Sequence, residues 1–379
     1  MLCNTTKGNT GRLCKLYFGR ERPENTSLLR CLPYFMLIGQ PKSGSTDLFK
    51  RIMQHPDVQQ GISKEPQYWA RSRHCSYSSK RYGCKLIHPQ SFTEYLDYFN
   101  PAAEILQVAN DTQRRKVITG GLPSEEDVQD EGDHEADEVE DQYVLSGMKP
   151  QKPQVYINFA KQDIIFGKIG EGSGTTMWFN EWWWWNPKNK NDKEPGLLNA
   201  HFIRHILPDV KLLAILRNPV DRLFSAYLYF GNSAKKSVKL FHSIVTTSVN
   251  KFNTCLAKES LRHCAYKECT TPTSLCLGLY AVYLKDWMDI FPRKQLLVLS
   301  LDEYSTNPSM TMLKIYKFLE LCDIGNVETT AKHHNERGLS TRAVGPMLNE
   351  TRHILEQFYK PFNDALFLLL NDTRFLWKT

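Results

Sequence analysis

One lysine stands among glycines and hydroxyls in Gly39-Gln40-Pro41-Lys42-Ser43-Gly44-Ser45-Thr46. An apolar run, Tyr34 to Ile38, leads into this segment, and Leu48, Phe49, Ile52 and Met53 leave it at helical spacing. A strand that turns into a helix through small residues presents unpaired N–H groups and the positive end of a helix dipole. That is an anion site. Gly39 and Gly44 let the backbone approach closely, Ser43, Ser45 and Thr46 add hydroxyl donors, and Lys42 adds a mobile positive charge. The alternative is a simple helix start with a solvated Lys42. A phosphate fits the pattern, but not the nucleoside triphosphate held by G-x-x-x-x-G-K-[ST]. Gly39 and Gly44 have that spacing, yet Ser45 occupies the lysine position and Lys42 comes two residues before Gly44.

A second turn of related build lies in VKLLAILRNPVDRLFSAYLYF, residues 210–230. An apolar run ends at Leu216, Asn218 is placed as an N-cap, and Pro219 takes the first helical position. Arg217 therefore leaves the carboxyl end of a strand, where open α/β sheets bind their ligands. Its planar fork suits a phosphate, and Ser225 follows two turns along the helix. An ion pair with Asp221 is the alternative for Arg217. Glu65 stands beside Lys64 in Lys64-Glu65-Pro66, and a pair with that lysine or a turn cap is its plain reading. Lys42 can neutralise charge that develops on a leaving oxygen, and Lys64 can add to the same field.

Pro-Lys-Ser-Gly-Ser-Thr (41–46) resembles the 5′-phosphosulfate loop of PAPS-dependent sulfotransferases, and Leu216 to Tyr227 resembles their 3′-phosphate motif. The resemblance extends to the Golgi carbohydrate sulfotransferases, and within them to the branch that sulfates C6 of N-acetylgalactosamine 4-sulfate. SKEPQYW (63–69), GEGSGTTMWF (170–179), LGLYAVYLKDWMDIF (277–291), GPMLNETRHILEQFYKPFN (345–363) and the closing FLWKT carry it. It implies a PAPS cofactor held by Lys42, Ser43, Gly44, Ser45, Thr46, Arg217 and Ser225, with Glu65 as base, a task its carboxylate can perform if it is buried. It also implies a glycosaminoglycan acceptor and a Golgi-lumenal site of action. Chondroitin or dermatan sulfate is the expected polymer; a heparan-type acceptor, or an inactive polyanion-binding relative, is the alternative. Should Glu65 be structural, His88 and Asp97 are the fallback proton acceptors.

The elements around these turns read as buried strands alternating with helices, which predicts an α/β fold with a central parallel sheet flanked by helices. The resemblance makes this one P-loop-like sulfotransferase domain at 33–379, after an N-terminal lumenal extension at 1–32. Strands are expected in DIIFGKIGEG (163–172) and KQLLVLSLDEY (294–304). Helices are expected in PGLLNAHFIRHILP (195–208), LGLYAVYLKDWMDIF and NPSMTMLKIYKFLEL (307–321), and in a tail that breaks near Pro361.

With 379 residues, 41% of them hydrophobic and 12% aromatic, the chain can bury a large core. Its net charge is +7, but residues 124–141 hold eleven acidic side chains and no Lys or Arg. The remainder carries about +18, which suits an anionic ligand or polymer. Residues 107–150 read as a solvated insertion. Trp178 and Trp182 to Trp185 are candidates for stacking on sugars, against the alternative of core. Arg71, Arg73, Lys80 and Arg81 are candidate acceptor contacts. Ten cysteines and sequons at Asn4, Asn25, Asn110, Asn349 and Asn371 point to the secretory pathway. No apolar run reaches the roughly 20 residues of a membrane helix, so any anchor is expected outside this chain. Cys255, Cys264, Cys269 and Cys276 lack zinc-site spacing and are expected in disulfides, Cys255 with Cys264 first. His333-His334 has no third ligand, so no metal is expected. No nucleic-acid recognition motif accompanies the basic residues.

Overall fold

The computed structural model describes residues 14–18, 27–74, 89–108, 168–180, 183–231, 236–267, 274–322 and 343–377. Its first elements, β1 (Cys14–Phe18) and β2 (Ser27–Cys31), form an antiparallel pair in register from Cys14 against Cys31 to Phe18 against Ser27. This pair falls within the stretch assigned to the N-terminal extension.

The central sheet comprises β3 (Phe35–Gly39), β4 (Val58–Gln60), β5 (Lys168–Gly172), β6 (Lys211–Leu216) and β7 (Leu296–Ser300). Their order is β4-β5-β3-β6-β7, and every adjacent pair is parallel. The expected parallel sheet is therefore present. Alternation across each strand feeds two cores. Met36, Ile38, Leu212, Ala214 and Leu216 face one side, while Phe35, Leu37, Leu213 and Ile215 face the other. Gly170 keeps β5 close to β3: a Cβ there would stand 2.3 Å from Phe35 Cζ.

Helices include α1 (Ser45–Ile52), α2 (Phe92–Asp97), α3 (Asn199–Ile206), α4 (Pro219–Phe230) and α5 (Val238–Leu256), then α6 (Leu261–Lys267), α7 (Tyr280–Ile290), α8 (Leu301–Thr306), α9 (Pro308–Phe318) and α10 (Asn349–Leu370). Residues of α3, α4, α5, α7 and α10 pack on the first face, and those of α1, α8 and α9 on the second. Helices thus flank the sheet on both sides. The Cys255–Cys264 disulfide, as expected, ties the end of α5 to α6 with Cα atoms 5.9 Å apart. Cys31, Cys276 and Cys322 are disulfide-bonded as well.

Three boundaries differ from the sequence reading. Strand β7 stops at Ser300, and Leu301 to Tyr304 are helical instead, with Asp302 and Glu303 in the first turn where the helix dipole favours them. Helix α10 runs through Pro361 without a break. The carbonyl deprived of a partner is that of Gln357, on the exposed side, while Phe358, Tyr359 and Leu366 hold the helix in the core. Residues 100–108 are helical, so the expected insertion begins inside a helix; positions 109–150 lie outside the described residues. Among the described residues no helix is long and apolar enough to cross a membrane.

Candidate active site

Strands β3 and β6 are neighbours, and the chain leaves β3 towards β4 on one side but later reaches β6 on the other. Their carboxyl ends therefore flank a topological switch point, the crevice where open α/β sheets bind ligands. The turn after β3 and the turn after β6 meet there. Gln40 N donates to Ile215 O (3.0 Å), extending the ladder past the irregularity at Gly39. Arg217 Nη1 lies 3.4 Å from Lys42 O. Behind them, Gln40 Nε2 donates to Leu277 O (3.2 Å) and Tyr280 OH donates to Arg217 O (2.8 Å). The LGLY segment thus holds both turns.

Helix α1 opens as an anion site should. Its N-cap is Gly44, left-handed at φ 82°, and no side chain caps the first turn. A Cβ on Gly44 would stand 2.8 Å from Leu301 Cδ1, so the position demands glycine on both counts. Ser43 and Ser45 are buried, and Thr46 is partly exposed. The one acidic residue of the turn, Asp47, is engaged by Arg51 Nε (3.0 Å) and by the Tyr304 hydroxyl. Lys42, at φ 66°, lays its ammonium over the Tyr229 ring, 3.6 Å from the centroid. Asn218 caps α4 as expected, accepting from Val220 N (3.0 Å). Asp221 pairs with Arg352 at 2.8 Å, which accounts for the acid first considered for Arg217. Ser225 is partly exposed, two turns along α4.

Glu65 reaches the same place from a separate loop. Lys64 Nζ donates both to Thr46 Oγ1 (3.2 Å) and to Glu65 Oε1 (2.6 Å). Gln67 Nε2 donates to Glu65 Oε2 (3.2 Å). Glu65 is 41% exposed rather than buried, so the environment foreseen for it is corrected: it is held by hydrogen bonds at the mouth of the crevice. Lys42, Glu65 and Gln67 all have left-handed backbones, φ 66°, 69° and 58°. Strain of this kind gathers at functional sites.

The resemblance implies a nucleotide with phosphates at both ends, and these residues suit such a group. An uncapped helix start, a left-handed glycine, two lysines and an arginine are a donor set made for phosphate oxygens. They fit. Among the described residues no group of three or more His, Cys, Asp or Glu could hold a metal.

Sequence reasoning missed Gln67, Ser173, Thr175 and Glu171. Ser173 Oγ accepts from Gln67 N (3.3 Å) and Thr175 Oγ1 donates to Gln67 Oε1 (2.5 Å). Their signal was present as a third strand-to-turn segment, GEGSGTT, at the end of β5. Glu171 is 1% exposed and accepts from the Tyr95 hydroxyl, which in turn accepts from Trp69 Nε1 (3.1 Å). Burial raises its carboxyl to about 7, against opposing hydrogen bonds from Tyr95 and Ser173. A raised acid contributes stability in full below its ordinary value, and that contribution is lost as pH rises through about 7. Native protein is therefore expected to lose on the order of 2 kcal/mol between pH 5 and pH 8 from this group. Denaturant melts of Glu171→Gln should lack that component; parallel pH profiles for the two proteins would contradict it.

The acceptor residues need correction. Trp178 (9% exposed) and Trp183 (7%) are core side chains, unable to present a face to a sugar. Trp184 is 41% exposed; Trp182 and the Trp185 side chain lie outside the described residues. Arg73 is structural: its guanidinium donates to Asn199 Oδ1 (2.6 Å) and packs over Phe202, and desolvation lowers its pKa to about 10. Arg71 lies over Phe179 at 4.7 Å. Asp97, a fallback base, is paired with Arg30 and accepts from Asn100 Nδ2 (3.1 Å). Lys80, Arg81, His88, Cys269 and His333-His334 lie outside the described residues.

Residues 179–354 match the family described as Sulfotransferase domain, a span that takes in Arg217 and Ser225 but not Lys42 or Glu65. Carbohydrate sulfotransferase 15 of Mus musculus is 36% identical over 358 residues, 93% of this chain and 55% of that protein. Carbohydrate sulfotransferase 15 of Nototodarus sloanii is 32% identical over 144 residues, 36% of this chain and 90% of that sequence. A sulfotransferase crystal structure from Alicyclobacillus acidocaldarius superposes with a TM-score of 0.49 at 18% identity, over 90% of this chain and 96% of that one. The chain spans about half the length of the mouse relative.

Proposed function

Because this chain belongs to the carbohydrate sulfotransferase family, we propose that it transfers a sulfuryl group from PAPS to a glycosaminoglycan hydroxyl. The acceptor we assign is C6 of N-acetylgalactosamine 4-sulfate in chondroitin or dermatan sulfate, and the setting is the Golgi lumen. One domain, residues 33–379, would carry the activity behind a lumenal extension at 1–32. A single observation carries the reading. Two anion-binding turns meet at the switch point, with Arg217 Nη1 3.4 Å from Lys42 O, and a carboxylate is tied to the same helix start through Lys64.

Bound there, PAPS supplies the sulfuryl group, which moves in line between two oxygens. Positioning and charge stabilisation then account for most of the catalysis. The N–H groups of Ser45 and Thr46 and the hydroxyls of Ser43, Ser45 and Thr46 hold the 5′ end. Arg217 and Ser225 hold the 3′-phosphate. Lys42, which lies over Tyr229, would neutralise charge on the leaving oxygen, and Lys64 would add to that field. Glu65 takes the proton of the acceptor hydroxyl, which its exposure at the mouth permits. The basic body of the chain attracts a sulfated, uronate-rich polymer.

Transfer of labelled sulfate from PAPS to chondroitin, dermatan and heparan acceptors tests this. The expected product is a 4,6-disulfated N-acetylgalactosamine. Label on heparan alone would replace the acceptor, and no label on any acceptor would overturn the enzyme.

A further inference from the structure

Sulfuryl transfer as described gives Gln67 no task, yet its bonding is specific. Its amide oxygen accepts from Thr175 Oγ1 (2.5 Å), so its NH₂ faces Glu65 Oε2 (3.2 Å). The reversed amide would set oxygen against carboxylate oxygen, which the network excludes. Its main chain is fixed as well. Gln67 N donates to Ser173 Oγ (3.3 Å), while Gln67 O accepts from Arg71 N (2.8 Å) and Ser72 N (2.9 Å). Glu65 by contrast is a half-exposed side chain on a loop, and without restraint it would sample several rotamers.

We propose that Gln67 is a positioning residue that fixes the Glu65 carboxylate for proton acceptance, using Ser173 and Thr175 as its anchor. This rests on the reading of Glu65 as the base. The anchor matters because Ser173 and Thr175 directly follow β5, which lies between β4 and β3 in the sheet. Lys42 and Arg217 leave β3 and β6 of that sheet. The chain of bonds therefore refers the carboxylate to the same rigid frame as the donor site, where errors near 1 Å are costly. With Lys64 on one oxygen and Gln67 on the other, each oxygen still keeps a lone pair for a substrate proton. Because the amide is neutral, it orients the carboxylate without adding a competing charge.

The test uses the full chain with Gln67→Leu, Thr175→Val and Thr175→Ser, and Gln67→Leu combined with Glu65→Gln. Sulfate transfer from PAPS and PAP affinity by calorimetry are both read. Gln67→Leu should lower kcat at least about tenfold while PAP affinity stays within about twofold. Thr175→Val should give a smaller loss in kcat, and Thr175→Ser should restore it. On the Glu65→Gln background, Gln67→Leu should add nothing further, since it acts through the missing carboxylate. Near-native kcat in Gln67→Leu, or a full-sized loss on that background, overturns the role while leaving the functional reading standing. If Gln67→Leu does not fold, the Thr175 pair decides: equal kcat for Val and Ser overturns the role. Native protein that transfers no sulfate overturns both.

Discussion

Glu65→Gln is expected to reduce sulfate transfer by about 10²-fold or more while PAP binds as it does to the native protein. The substitution keeps the side chain's shape and a contact with Lys64 or Gln67, but removes the charge and with it the capacity to take a proton. A hundredfold loss corresponds to about 2.7 kcal/mol of transition-state stabilisation. Lys42→Ala should behave differently. Its charge meets the phosphosulfate in the ground state too, so turnover and PAPS affinity should fall together. Steady-state kinetics with both substrates varied, beside calorimetry with PAP, separate the two patterns. Near-native turnover in Glu65→Gln would make the Lys64–Glu65 pair structural. Asp97 could not easily take over, since it is already paired with Arg30.

The second large effect is expected at the other turn. Arg217→Ala should weaken PAP binding by about 1.5–3 kcal/mol, the scale of a lost hydrogen bond between charged groups. In affinity this is roughly ten- to 150-fold. The fold should survive, because Arg217 is only partly buried and the turn is held through its backbone by Tyr280 and by the Asn218 cap. Affinity for 5′-AMP should change little in the same variant. Arg217→Lys is expected to recover only part of the loss, as an ammonium cannot reproduce the two-pronged contact.

Both turns were legible in the sequence because their signals are local. A buried run followed by small residues, or by Asn-Pro, dictates strand, turn and cap within a few positions. The same locality made the Cys255–Cys264 pair readable. What stayed hidden depends on distant partners. Strand β4 is three residues, Val58–Gln60, with one buried side chain, and only pairing with β5 makes it a strand. Gln67 reads as an ordinary polar loop residue until the turn after β5 is brought against it. Trp178 and Trp183 look like sugar platforms until their burial is known, and a core of aromatic side chains absorbs them. Pro361 looks like a break until tertiary packing is seen to hold both halves of α10 in line. The link from Glu65 through Lys64 to Thr46 likewise followed from no periodicity. Resemblance in the KEP segment suggested only a role for Glu65, not its position.

Titration calorimetry of the native protein with PAP and with 5′-AMP bears most directly on the paired turns. The two nucleotides differ only in the 3′-phosphate that Arg217 and Ser225 are assigned to hold. PAP is expected to bind at least about tenfold more tightly. Equal affinities would contradict a 3′-phosphate site at the end of β6, and with it the reading of the crevice as a PAPS site.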